Sequence, residues 1–134
     1  MSSLRILLVD DHLLFRKGLA QLLDFQPDFE VVGEATDGLE AVGQTELLRP
    51  DLVLMDIRLK GLIDGVSLTQ RIQSHLDIPV IYLTAFGDES TVRDALTHRD
   101  FSFIRKPFEE REIEEIVRKT LHRSSRDESD TLDH

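Results

Sequence analysis

The stretch Ile6-Leu7-Leu8-Val9-Asp10-Asp11 is a short apolar run that ends on two carboxylates, and the same pattern recurs along the chain. Apolar runs also end at Asp56, at Thr84 and shortly before Lys106. Near-continuous apolar runs are typical of strands buried in a parallel sheet. Ligands of open α/β sheets sit outside the carboxyl ends of such strands. The pattern therefore predicts an acidic pocket with a cation and a hydroxyl on its rim, which suits a phosphate and a hard metal ion.

Segments of helical periodicity separate these runs, which indicates βαβ units around a parallel sheet. A further strand over residues 29–32 brings the prediction to five strands and five helices in one α/β domain. With right-handed crossovers, the doubly wound strand order is 2-1-3-4-5. We assign this domain to residues 1–122. From Arg123 the composition shifts to serine and charged residues, so residues 123–134 are predicted to be a disordered tail.

The composition excludes several other classes of protein. The chain has 134 residues, of which 40% are hydrophobic and 31% are charged, as expected for one globular domain. A formal net charge of −10 argues against nucleic-acid binding by this chain. The absence of cysteine excludes disulfides and thiolate metal sites. No signal peptide or membrane-spanning run is evident, so we expect a cytoplasmic protein that does not contact a membrane.

Three aspartates are predicted to converge at one edge of the sheet. In the predicted order the first and third strands are neighbours, which brings Asp10, Asp11 and Asp56 together. Like charges at close range are unfavourable unless a cation neutralises them, and Mg²⁺ prefers oxygen ligands. Taken singly, each aspartate could instead cap a helix or begin a loop, Thr84 could cap a strand end, and Lys106 could be a solvated loop residue. Their joint occurrence at four strand ends favours a functional site.

The chain resembles the receiver domain of two-component response regulators over about residues 4–121. The motifs that carry the resemblance are LVDD at residues 8–11, LMDI at 54–57, LTA at 83–85 and FIRKPF at 103–108. The segment DDHLLFRKG at residues 10–18 is also similar to receivers attached to LuxR-type DNA-binding domains. The resemblance implies a flavodoxin-like fold and a two-component phosphorelay signalling function.

The resemblance implies a role for each residue of the pocket. Asp56 would be the phosphoacceptor, taking a phosphoryl group from a sensor histidine kinase or a phosphotransfer protein. Mg²⁺ would be bound by Asp11, by Asp56 and by the backbone carbonyl of Arg58, with Asp10 acting largely through water. Lys106 would neutralise the charge that develops on the transferred group. The chain would thus be a switch that assists its own phosphorylation and dephosphorylation, and not an enzyme.

The resemblance also implies how the signal leaves the pocket. After phosphorylation the Thr84 hydroxyl would move to a phosphate oxygen, and Phe103 would turn inward behind it. This would change the surface of the fourth helix, fifth strand and fifth helix, which would regulate an unknown partner or output domain. The chain could also form a homodimer. The alternative function is that of a receiver-like interaction module that acts without phosphorylation. An aspartyl phosphatase is disfavoured, because it needs a second acid where Arg58 stands.

Some residues depart from the family pattern or have no assigned role. Arg58 and Phe86 flank the expected path of hydrolytic water, and we hypothesise that they alter the lifetime of the phosphoryl group. Lys60 stands where proline is usual. The five histidines, including His12 directly after the aspartate pair, form no evident metal-binding pattern, and we expect surface roles for them. The resemblance also implies that the Lys106–Pro107 peptide bond is cis, a form that is almost confined to bonds before proline.

Overall fold

Five strands form one parallel sheet in the predicted order. The computed structural model of the chain describes residues 3–56, 78–84 and 102–132. The strands in these ranges are β1 (Leu4–Val9), β2 (Phe29–Ala35), β3 (Leu52–Asp56), β4 (Val80–Thr84) and β5 (Ser102–Arg105). They lie in the order β2-β1-β3-β4-β5, and every neighbouring pair is parallel. The predicted α/β class and strand order are confirmed.

Three of the five predicted helices lie in the described ranges. They are α1 (Leu13–Asp24), α2 (Gly38–Leu48) and α3 (Glu110–Leu132). The helices predicted after β3 and after β4 fall outside the described residues, as do Arg58, Lys60 and Phe86. Among the helices that the structure describes, none is both long and apolar enough to cross a bilayer.

The central strands are buried on both faces of the sheet. Every residue of β3 and β4 is buried, and so are the last four residues of β1. On one face of the sheet, alternate side chains of these strands form a core cluster with Leu19 and Leu23 of α1 and with Ile113 and Val117 of α3. Because helices cover the sheet, these strands read in sequence as continuous apolar runs rather than as alternating ones. Because all neighbouring strands are parallel, the carboxyl ends of β1, β3, β4 and β5 lie at the same edge of the sheet.

An exposed ion pair anchors α3 at the opposite edge of the sheet. Arg118 donates to both carboxylate oxygens of Asp28, at 2.6 and 3.1 Å, immediately before β2 begins. Its guanidinium also lies 4.8 Å from the centroid of the Phe29 ring. The hydrogen bond from Arg118 lowers the pKa of the Asp28 carboxyl below its usual value. The helix is thus held near the amino ends of the strands, away from the predicted pocket.

Helix α3 continues to Leu132 and so includes residues 123–132, which the composition predicts to be disordered. The difference has a reason in the sequence. Neither glycine nor proline occurs after Pro107, so the chain contains no strong helix breaker beyond that point. The boundary at residue 122 between domain and tail stays a prediction.

Candidate functional site

The predicted pocket residues meet where neighbouring strands end. Asp10 follows β1 directly, Asp56 is the last residue of β3, and Lys106 follows β5. Strands β1 and β3 are paired, with Val9 opposite Met55, so the two aspartates lie at adjacent strand ends. The Lys106 Nζ atom lies 3.4 Å from Asp10 Oδ2 and 3.5 Å from Asp56 Oδ2. The structure therefore brings together the carboxylates and the cation that the sequence pattern singles out.

Asp10 and Asp56 are buried carboxylates that face the same ammonium group. Their side chains are 2% and 6% exposed, whereas the side chain of Lys106 is 23% exposed. Burial of a charge is costly unless a counter-charge accompanies it, and Lys106 supplies one. Asp11, with a side chain that is 12% exposed, adds a third carboxylate. The pocket keeps an excess of negative charge that a divalent cation would neutralise.

Lys106 is oriented by an aromatic ring as well as by the carboxylates. Its Nζ atom lies 4.0 Å from the centroid of the Phe15 ring, which packs edge-on against Phe108 with the centroids 6.0 Å apart. A cation over a ring face is attracted by the ring quadrupole. The Lys106 backbone N–H donates to the Thr84 carbonyl at 2.7 Å, and the Lys106–Pro107 peptide bond is cis, as expected. These contacts direct the ammonium group towards the pocket.

Thr84 ends β4 beside the pocket but directs its hydroxyl elsewhere. The side chain is buried, and the hydrogen bond that the structure gives it donates to the Ile104 carbonyl of β5 at 3.4 Å. That separation is long for a hydroxyl donor, so the bond is weak. The predicted contact of the Thr84 hydroxyl with an oxyanion stays a prediction. Phe103 lies in β5, and its predicted switching motion stays a prediction.

The His12 side chain is 58% exposed, in agreement with its predicted surface position, and its ring also lies beside the carboxylates. Its Nδ1 atom lies 3.1 Å from Asp10 Oδ1, 3.2 Å from Asp11 Oδ1 and 3.7 Å from Asp56 Oδ2. One ligand atom from each of these four residues lies within 4.8 Å of the others. Three carboxylates at this range fit a hard divalent cation such as Mg²⁺, which prefers oxygen ligands. The position of His12 directly after the aspartate pair is the signal that could have indicated its proximity.

Comparison with known proteins identifies the family to which this pocket belongs. The family model of the response regulator receiver domain matches residues 6–118. The chain belongs to this family. It is therefore a receiver domain of the two-component response regulator type, with Asp10, Asp11 and Asp56 in its acidic pocket for phosphorylation, and not a conventional enzyme.

Relatives of the receiver domain include two longer regulators. The transcriptional regulatory protein LiaR of Bacillus subtilis is 40% identical over 116 residues, which are 86% of this chain and 54% of LiaR. The response regulator protein VraR of Staphylococcus aureus is 38% identical over 131 residues, which are 97% of this chain and 62% of VraR. The chain thus spans less than two thirds of either relative. The solved response regulator domain of Thermotoga maritima CheB matches with a TM-score of 0.80 at 32% identity, covering 90% of this chain and 97% of that one.

A buried arginine of the receiver domain, not singled out from sequence, supports the backbone at Asp10. The Arg16 side chain is 9% exposed and donates to the Asp10 carbonyl and to Glu34 Oε1, each at 2.7 Å. Lys17 Nζ donates to the other oxygen of Glu34 at 3.1 Å. Helix α1, strand β2 and the end of β1 are thus linked beside the pocket. The spacing of Arg16 from Leu19 on the buried face of α1 is the signal that could have indicated this role.

We expect Glu34→Gln to destabilise the receiver domain by about 1–3 kcal/mol at neutral pH, the usual contribution of hydrogen bonds to a charged group. Burial raises the pKa of Glu34, but hydrogen bonds from Lys17 and Arg16 outweigh it and hold the pKa below its usual 4.5. A carboxyl group whose pKa is lower in the folded than in the unfolded state stabilises the fold at pH values above the unfolded-state pKa. This stabilisation is lost as the pH falls through the folded-state pKa. Urea unfolding should therefore show the largest difference between wild type and variant at neutral pH, and convergence below pH 4.5.

Glu30→Gln is the matched control, because Glu30 is exposed on the same strand. It should leave the free energy of unfolding almost unchanged at every pH. Equal losses in the two variants, or a loss in Glu34→Gln that does not shrink in acid, would contradict the role given to Glu34.

Proposed function

We propose that this receiver domain is a phosphorelay switch whose phosphoacceptor is Asp56. The observation that carries the proposal is the buried Asp56 carboxylate with the Lys106 ammonium group 3.5 Å away. A carboxylate oxygen would attack the phosphorus of a phosphohistidine and form an acyl phosphate while the phosphorus–nitrogen bond breaks. The family implies a cognate histidine kinase as partner. The direct donor would be that kinase or a phosphotransfer protein. We propose a cytoplasmic location for the switch.

The metal that suits this chemistry is Mg²⁺. Asp10, Asp11 and Asp56 would hold it, together with the backbone carbonyl of Arg58. When bound, the ion neutralises negative charge on the transferring phosphoryl group. The close approach of the carboxylates supports the proposal, because like charges at that range favour a cation between them. Lys106 would stabilise the same developing charge from the side of β5.

Thr84 and Phe103 would turn phosphorylation into a change of surface. The long hydrogen bond from Thr84 to the Ile104 carbonyl supports this step, because a weak bond is readily exchanged for one to a charged phosphate oxygen. Phe103 would then turn inward behind Thr84. The changed surface would comprise the fourth predicted helix, β5 and α3, which biases a two-state element.

The output would be read by another domain or by a partner protein. We propose residues 1–122 as the switch domain. LiaR is named a transcriptional regulatory protein, so control of transcription is the output that this relative suggests. The net charge of −10 argues against DNA contact by this chain itself. A homodimer would be one way for two copies to present the changed surface to the output.

Incubation with acetyl phosphate tests the proposed function. Intact-mass spectrometry should show a single phosphoryl adduct that forms with Mg²⁺, does not form in EDTA and is removed by hydroxylamine, as expected of an acyl phosphate. A folded protein that binds Mg²⁺ but accepts no phosphoryl group from acetyl phosphate or from a phosphorylated kinase would refute it. That result would favour the interaction module that acts without phosphorylation.

A further inference from the structure

The His12 ring, 58% exposed, lies at the mouth of the carboxylate pocket with its Nδ1 atom towards the carboxylates, instead of capping the helix that it precedes. His12 is the N-cap residue of α1, yet among the described residues its side chain makes no capping hydrogen bond. Its backbone N–H donates to Asp10 Oδ1 at 2.8 Å, which fixes the position of the ring relative to that carboxylate. The Nδ1 atom then lies beside one oxygen each of Asp10, Asp11 and Asp56. A nitrogen donor is thus added to a cluster of oxygen donors.

The separations from Nδ1 to the Asp10 and Asp11 oxygens match the edges of a metal coordination shell, and the separation to the Asp56 oxygen is longer. Ligands about 2.1 Å from one ion are about 3.0 Å apart at adjacent octahedral positions and about 3.4 Å apart at tetrahedral positions. The observed separations are 3.1, 3.2 and 3.7 Å. At Asp10, Lys106 lies beside Oδ2 whereas His12 faces Oδ1, so the two groups use different oxygens. At Asp56 both groups face Oδ2, at 3.5 and 3.7 Å.

We propose that His12 Nδ1 is a ligand of the ion in this pocket, and that the pocket binds a first-row divalent transition ion such as Mn²⁺ or Ni²⁺ more tightly than Mg²⁺. Imidazole nitrogen suits transition ions, whereas Mg²⁺ prefers oxygen ligands. The inference rests on the divalent-ion site of the proposed function and adds a nitrogen ligand to it. The competing explanation is a charge-assisted hydrogen bond from a protonated ring to Asp10, which predicts no bond between metal and nitrogen.

Bound Mn²⁺ is a direct probe of its own ligand atoms. We would record pulsed EPR spectra of the tag-free protein loaded with Mn²⁺ in mildly alkaline buffer, because metal ligands must be deprotonated. The spectra should show hyperfine coupling to a directly bonded nitrogen. The coupling should vanish in His12→Asn, which retains a good N-cap residue, and persist in His122→Asn, which changes a histidine of α3. Absence of the coupling in wild type, or its survival in His12→Asn, would overturn the assignment.

Calorimetric titration with Ni²⁺ and Mg²⁺ supplies a second readout. His12→Asn should weaken Ni²⁺ binding by about tenfold or more, since even indirect partners of a metal contribute that much to affinity. It should weaken Mg²⁺ binding by about threefold or less, because Mg²⁺ takes oxygen ligands. Equal losses for the two ions would overturn the assignment.

The acetyl phosphate assay on the same preparations separates this inference from the proposed function. An adduct that requires Mg²⁺, formed by a protein whose Mn²⁺ spectrum shows no nitrogen coupling, would overturn only the ligation by His12. Failure to bind any divalent ion would overturn the ion site of the proposed function as well.

Discussion

The Asp56→Asn variant is expected to take up no phosphoryl group from acetyl phosphate and to be more stable than wild type when Mg²⁺ is absent. The amide nearly preserves the shape of the carboxylate but is not a nucleophile. It also removes one negative charge from a pocket in which Asp10, Asp11 and Asp56 lie close together. Relief of that repulsion should stabilise the fold by about 0.5–2 kcal/mol, as is common when a functional site is relaxed.

Intact-mass spectrometry and urea unfolding with and without Mg²⁺ check the two parts of this prediction. Added Mg²⁺ should stabilise wild type more than the variant. A ligand stabilises the folded state by RT ln(1 + [L]/Kd), and the loss of one carboxylate should weaken binding of the ion. Asp51→Asn is the matched control, since Asp51 is exposed just before the other end of β3. It should be phosphorylated like wild type. An adduct of normal yield on Asp56→Asn would show that another residue is the acceptor.

The sheet and the acidic pocket could be predicted from the sequence because both follow from burial. Strands covered on both faces leave unbroken apolar runs, and β3 and β4 are buried at every residue. The residues that end such runs must then lie at one edge of the sheet, which locates Asp10, Asp56 and Thr84 without knowledge of any contact. The structure adds the separation between Lys106 Nζ and the Asp10 carboxylate, whereas the proximity of these residues already follows from the strand pattern.

The contacts of the supporting residues could not be predicted, although sequence position makes Arg16 and His12 candidates, because these contacts depend on how α1 is rotated against the sheet. Arg16 looks like a solvated helix residue until α1 is packed with that side chain towards Glu34 in β2. His12 faces the pocket only because its backbone bonds to Asp10 at the start of α1. The composition of residues 123–132 indicates solubility but contains no strong helix breaker, so it does not predict where α3 ends. Local spacing can assign Arg16 to the buried face of α1, but it cannot identify the groups that Arg16 contacts there.

The Lys106→Met variant is expected to be phosphorylated about 100- to 1,000-fold more slowly, the usual effect of removing one group that stabilises transition-state charge. Methionine retains the length of the side chain and packs well against an aromatic ring such as Phe15. The substitution therefore removes the ammonium group from between Asp10 and Asp56 with little loss of packing. The variant should also unfold at lower urea concentration, because two buried carboxylates then lack this counter-charge. Time courses of adduct formation with acetyl phosphate and Mg²⁺ measure the rate.

Lys119→Met is the control that separates the loss of a positive charge in the pocket from the loss of a positive charge elsewhere on the protein. Lys119 is exposed on α3, so its replacement changes the net charge by the same amount without touching the pocket. A phosphorylation rate in Lys106→Met equal to that in Lys119→Met would mean that the ammonium group does not act on the transferred phosphoryl. A slow rate that recovers in Lys106→Arg would show that any cation at this position suffices. A slow rate in both Lys106→Met and Lys106→Arg would show that phosphorylation requires the compact ammonium group. The Phe15 ring and the two carboxylates hold that group in place.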